Sequence, residues 1–105
     1  LVDLIGQFAA GKIEHLTCIN EAKRDGEVGF YSDGGHLSRT SGIEHLVGYG
    51  YFSMLYRRSP ATVEGYAPKG VPPSFDRQTR TAIWKAVVDS PFAGIDDANG
   101  DGVAD

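Results

Sequence analysis

Asp97, Asn99 and Asp101 place side-chain oxygens at alternating positions of one short stretch, Asp97-Ala98-Asn99-Gly100-Asp101-Gly102-Val103-Ala104-Asp105. Alternate side chains of a tight loop can converge on one point. The chemistry that suits them is a hard divalent cation, because calcium takes roughly six to eight oxygen ligands at about 2.3–2.6 Å. Gly102 permits the sharp turn that a residue with a Cβ resists. Val103 is then expected to supply its backbone carbonyl, and Asp105 to ligate directly or through a water.

The order D-x-N-x-D-G-x-x-D resembles the loops of EF-hand and dockerin type and the shorter integrin-like repeats of β-propellers. The resemblance covers nine residues. It implies a calcium site made by Asp97, Asn99, Asp101, Val103 and Asp105, with calcium as the cofactor. An EF-hand loop also carries a bidentate acid at its twelfth position, and this chain stops at the ninth. The remaining oxygens are expected from Asp96 or Asp89, or from a longer protein to which the chain belongs. A start on Leu1-Val2 with no Met favours the latter. The rival reading of the stretch is an acidic tail in which Asp, Asn and Gly simply favour turns.

A second set of residues could do different chemistry. His15, His36 and His45, with Glu14 and Glu44 beside two of them, are the candidates for a transition metal or a hydrolytic site, since zinc favours His and Cys. No HExxH, no His pair at i,i+4 and no Cys pair accompanies them. Cys18 is the only cysteine, so neither an internal disulfide nor a CxxC site is available. Neither glycine patch, Gly34-Gly35 or Gly48-x-Gly50, has the strand-to-helix setting of a phosphate loop. Tyr49, Tyr51, Phe52, Tyr56 and Tyr66 concentrate the aromatic surface. They serve as core, or, exposed, as a stacking platform for a sugar or a peptide.

Composition narrows the classes. The chain has 105 residues, which suits one domain. No apolar run approaches the ~20 residues that span a bilayer. The net charge of −4 works against nucleic acid as a partner, although the charge is uneven. Residues 57–85 hold six bases (Arg57, Arg58, Lys69, Arg77, Arg80, Lys85) against Glu64 and Asp76, whereas the last twenty residues hold five acids and no base. The basic middle is expected to solvate a surface or to lie beside the acidic end of the same chain.

The elements that must position these groups follow from periodicity. Leu1 to Leu16 has helical spacing, with a break near Gly11. Glu27 to Tyr31 has strand character, bounded by turn signals at Lys23-Arg24-Asp25-Gly26 and Ser32-Asp33-Gly34-Gly35, which suggests a hairpin arm. Ser41 and Glu44 have capping-box spacing; the helix they open is expected to falter past Gly48, and residues 47–56 also suit a strand, which aromatics prefer. Ser59 to Ser74 reads as a long loop with Pro60, Pro68, Pro72 and Pro73. Ser74 is expected to cap a helix running through Val88, with Phe75, Ala82, Ile83, Ala86 and Val87 as its buried stripe, Trp84 flanking it, and Ser90-Pro91 as its end. Ile13-Glu14-His15-Leu16 recurs as Ile43-Glu44-His45-Leu46, but the flanks do not match, so no repeat is expected.

These readings predict an α+β fold: a small single domain over residues 1–95 with two or three helices and a short hairpin, then a calcium loop over 96–105 that could begin a further segment. The expected function is a calcium-stabilised extracytoplasmic (extracellular or periplasmic) binding or assembly module, with protein or carbohydrate as the partner. Two alternatives stand beside it: a metal-dependent hydrolase using His15, His36, His45 and Glu44, and a structural subunit whose aromatic segment is buried against a neighbour.

Overall fold

The sequence turns from helical to extended spacing near Gly11, and the backbone follows. In the computed structural model, which describes residues 1–23 and 25–105, helix α1 (Val2–Ala9) ends on Ala10 just before Gly11 takes φ 75°. The expected break near Gly11 is there, but the helical spacing from Gly11 to Leu16 does not become helix. Ile13 and Leu16 lie beyond it in irregular chain, yet both are buried in the main core with Leu4, Phe30, Ile43, Leu46, Phe75 and Ala82. Their spacing reported burial rather than helix.

Strand β1 (Cys18–Asn20) runs parallel to β2 (Gly29–Asp33), which pairs antiparallel with β3 (His36–Leu37) in the order β1-β2-β3. The β2–β3 pair is the expected hairpin, turning at Gly34-Gly35. The predicted turn at residues 23–26 includes Arg24, which lies outside the described residues. Parallel strands ordinarily need a long crossover, and here the connection is short. Glu21 compensates: its carboxylate accepts from the Gly29 backbone N–H at 2.8 Å and from the Ser38 hydroxyl at 2.9 Å. Gly29 is required at the pairing, because a Cβ there would stand 2.9 Å from Cys18 Sγ and 3.1 Å from two backbone oxygens.

Helix α2 (His45–Tyr56) continues through both Gly48 and Gly50 and ends on Arg57 in the left-handed region at φ 55°. It outruns the prediction because packing outweighs glycine's helix penalty of about 1 kcal/mol. A Cβ at Gly50 would meet Ile83 at 3.6 Å, so a small residue suits the approach of α3. The predicted capping box is absent. The Ser41 hydroxyl accepts from the Ile43 N–H instead, and the Glu44 carboxylate reaches Arg39 at 3.6 Å.

Helix α3 (Pro73–Asp89) starts two residues earlier than expected, with Pro72 at its cap position and Ser74 already in its first turn. Pro73 suits the first helical position because its missing N–H would go unbonded there. Its buried side chains include Arg80 and Trp84, while Ala86 is exposed. The stripe is wider than predicted because α3 packs on α1, on α2 and on the loop after α2. Among the described residues, three α-helices and one three-stranded sheet make a small α+β fold. No helix of the described residues is long and apolar enough to cross a membrane.

Candidate metal centre

The last turn of α3 builds a second, smaller core. Trp84, Val87 and Ile95 are buried together, with Val88, Ala93 and Ala104 packed against them. Ile95 and Ala104 thus anchor the chain on both sides of residues 96–103. The returning strand is fixed by pairing. Arg58 and Val103 form an antiparallel bridge, Ser59 N–H donates to the Gly102 carbonyl at 2.6 Å, and Ala104 N–H donates to the Arg57 carbonyl at 2.9 Å. The basic segment after α2 does lie beside the acidic end, joined through backbone.

Within this frame the loop closes on its own side chains. Asp97 Oδ2 accepts from the Trp84 indole N–H at 2.9 Å and the Gly102 N–H at 3.0 Å, and Oδ1 accepts from the Asp101 N–H at 3.1 Å. The Asn99 carbonyl oxygen accepts from the same Asp101 N–H at 3.2 Å. Asp101 Oδ1 accepts from Val103 N–H at 2.9 Å, and Asp105 Oδ2 from Ala98 N–H at 2.8 Å. Asp105 N–H returns to the Asp96 carbonyl at 2.8 Å, shutting the ring. Three donors, the indole foremost, hold the Asp97 carboxyl below the usual carboxylate range.

Gly102 is fixed in two ways. It adopts φ 81°, and a Cβ would stand 2.9 Å from Thr62 Cγ2 and 3.3 Å from Ser59 Cβ. The sixth position of the motif is glycine here for measurable reasons.

The loop meets some of a calcium site's demands and misses one. A carboxylate offers about four lone-pair directions, so Asp97, Asn99, Asp101 and Asp105 all keep acceptor capacity beyond these bonds. No Lys, Arg or His among the described residues pairs with Asp96, Asp97, Asp101 or Asp105. Yet among those residues no three His, Cys, Asp or Glu side chains gather closely enough to hold a metal. The carboxylates are turned to backbone N–H groups rather than to one point.

The histidines do not come together either. His15 Nε2 donates to the Ser41 carbonyl at 2.8 Å, and its ring packs on Phe75 at 4.9 Å. His36 Nδ1 stands 2.9 Å from Asp33, on the hairpin. His45 lies on α2 with its ring 6.3 Å from Tyr49. Three histidines with three separate sets of neighbours make no shared site. Cys18 is half-buried, and burial followed by the nearby Glu27 pushes its thiol pKa up, away from nucleophilic use.

One constellation escaped the sequence reading. Arg80 is 5% exposed. Its Nη1 donates to the Pro60 and Val63 carbonyls at 2.9 and 3.2 Å, and Nη2 donates to the Tyr66 carbonyl at 2.8 Å. Its Nε stands 2.9 Å from Asp76 Oδ2, an ion pair without a well-aligned hydrogen bond. The Tyr49 hydroxyl donates to the other Asp76 oxygen, and the Tyr49 ring lies 4.9 Å from the guanidinium carbon. Desolvation, then the Asp76 contact, raises the Tyr49 pKa far above its ordinary value. The i,i+4 spacing of Asp76 and Arg80 was the signal available; the three carbonyls had none. Cavities of about 300 and about 380 Å³ flank this group, with Val63, Tyr66 and Arg80 common to both walls.

Compared with protein-family models, with curated proteins and with solved structures, the chain matches none.

Proposed function

We propose that the chain is a calcium-stabilised binding or assembly module working outside the cytoplasm. In this reading Asp97, Asn99 and Asp101, the Val103 carbonyl and Asp105 hold the ion. The observation that carries it is the loop itself. A ring closed by Asp105 on Ala98 and Asp96 concentrates four carboxylates that no described cation neutralises. Like charges held in one short loop repel, and a divalent cation removes that repulsion while accepting the oxygens' free lone pairs. Binding would draw Asp101 and Asp105 inward from their N–H partners, so a modest affinity is expected, in the range of about 10⁻⁴–10⁻³ M found for extracellular modules. Such an affinity has an effect only where calcium is abundant, so the proposed extracellular or periplasmic setting stands or falls with the measured dissociation constant.

The test is thermal unfolding with calcium and with chelator. At calcium about tenfold above the dissociation constant, mass action adds about 1–2 kcal/mol. For a domain of this size that raises the melting temperature by roughly 5–10 °C. Magnesium at the same concentration should give little, and the variant Asp101→Asn/Asp105→Asn should lose the calcium effect while folding without it. Identical melts in calcium and in chelator would remove this reading.

A further inference from the structure

Helix α2 carries an apolar stripe on the side that faces away from the protein. Leu46, Tyr49 and Ser53 point into the fold and are buried. Val47, Tyr51, Met54 and Leu55 lie opposite them at i, i+4, i+7 and i+8, the spacing of a helix's core-facing side. They are 53, 67, 46 and 75% exposed. From His45 to Tyr56 the helix contains neither an acid nor a Lys or Arg. A helix apolar all round is ordinarily buried all round, so the outward stripe lacks its cover.

The charges at the two ends indicate what covers it. Glu44 precedes the helix, and Arg57-Arg58 follow it. Laid antiparallel on a second copy about Tyr51, the helix brings Glu44 toward the Arg57-Arg58 end of that copy, where the chain has left the helix at Arg57. Val47 falls opposite Leu55 of the second copy, and Gly48 opposite its Met54. Gly48 is exposed with nothing within 4 Å of where a Cβ would stand, leaving room for the methionine. An antiparallel pair also sets helix dipoles against each other favourably, whereas a parallel pair would bring the arginines together. The existing contacts, Glu44 with Arg39 at 3.6 Å and Arg58 Nε donating to Thr62 Oγ1 at 2.9 Å, are both exposed and weak enough to be exchanged.

We propose that this face of α2 is the interface of a two-fold homodimer centred on Tyr51, with Glu44 and Arg58 paired across each end. A surface that complements itself under a two-fold rotation is what a closed dimer requires. The stripe is smaller than the ~800 Å² per partner of a standard interface, so the dimer forms in the micromolar range and depends on concentration.

Sedimentation equilibrium of the whole chain, from about 10 μM to 1 mM and in both calcium and chelator, reads this directly. The expected result is a monomer–dimer equilibrium in both conditions, which separates it from the calcium proposal. Tyr51→Arg places two like charges at the centre and should weaken the dimer at least ~30-fold with unchanged circular dichroism. Glu44→Arg should weaken it several-fold, and Glu44→Arg/Arg58→Glu should restore it. A monomer at every concentration, a dimer indifferent to Tyr51→Arg, association beyond two copies, or no recovery in the double variant would each overturn the interface.

Discussion

Arg80 and Trp84 sit one turn apart on α3, and each fastens a different loop. Arg80 takes the carbonyls of Pro60, Val63 and Tyr66; Trp84 takes the carboxylate of Asp97. The first region is matched within itself: a buried cation has its counter-ion in Asp76 and its two terminal nitrogens on backbone oxygens, with only Nε lacking an aligned hydrogen bond. The second is unfinished, an exposed ring of acids whose oxygens meet only neutral N–H groups. The difference separates what the fold needs from what it offers. A buried charge must be matched before the chain can fold, whereas an exposed carboxylate can stay unmatched in water and remain available to an ion.

The largest effect that could break this contrast is at Arg80. Arg80→Ala leaves Asp76 buried beside Tyr49 with no cation and frees three carbonyls, which should cost about 3–5 kcal/mol. Calcium should not rescue it, because the loss lies in the loop after α2. Chemical denaturation with and without calcium checks both statements. Arg80→Met together with Asp76→Leu should lose much less, since replacing a whole buried pair is often nearly neutral. If the single variant were no worse than the double, the clamp would be packing and not charge.

How much of this was legible beforehand depended on distance along the chain. The short hairpin and most of α3 were read correctly because their signals are local: glycines at a turn, proline and a periodic stripe in a helix. Spacing alone singles out the stretch at 97–105. What failed needed partners far away in sequence. Leu16 falls on helical spacing without being helix, because burial against distant elements mimics periodicity. Ser41 looked like a cap for Glu44 but bonds Ile43. The size of Tyr49, Tyr51, Tyr56 and Tyr66 suits either a core or an exposed platform, and of these only Tyr49 is buried. The Arg80 clamp reaches 14 to 20 residues back along the chain, and no motif announces carbonyl acceptors. Trp84 was expected beside the stripe, and its bond to Asp97 gives it a donor role that the stripe could not indicate.

Gly102 offers a test of intermediate size, on the acidic side of the contrast. Gly102→Ala must hold a left-handed backbone, at roughly 1–2 kcal/mol, and also push aside Thr62 Cγ2 at 2.9 Å. A total of about 2–3 kcal/mol is expected, read by thermal melts. Gly100→Ala should cost only the backbone part, because φ is 72° there but nothing lies within 4 Å of the added methyl. Equal losses at both glycines would mean that the packing of residues 59–62 on the loop does not matter.

The smallest effect is the most specific. Trp84→Phe keeps an aromatic ring in the second core but removes the N–H that Asp97 accepts, so near neutral pH the variant should unfold at a slightly lower urea concentration than the parent. The pH dependence follows from the sign of the Asp97 shift. Its folded pKa lies below the ordinary carboxylate value, chiefly through the indole, so this bond stabilises the fold above about pH 4 and fades as pH falls through the folded value. The gap between the parent and Trp84→Phe should therefore narrow from pH 6 to pH 3, measured by urea unfolding at each pH. Tyr49 shows the opposite sign: its raised pKa favours the fold below about pH 10 and less above it. A gap that stayed constant down to pH 3 would mean that Trp84 holds the loop by packing alone, and the Asp97 carboxylate would then be as free of α3 as the other acids of the ring.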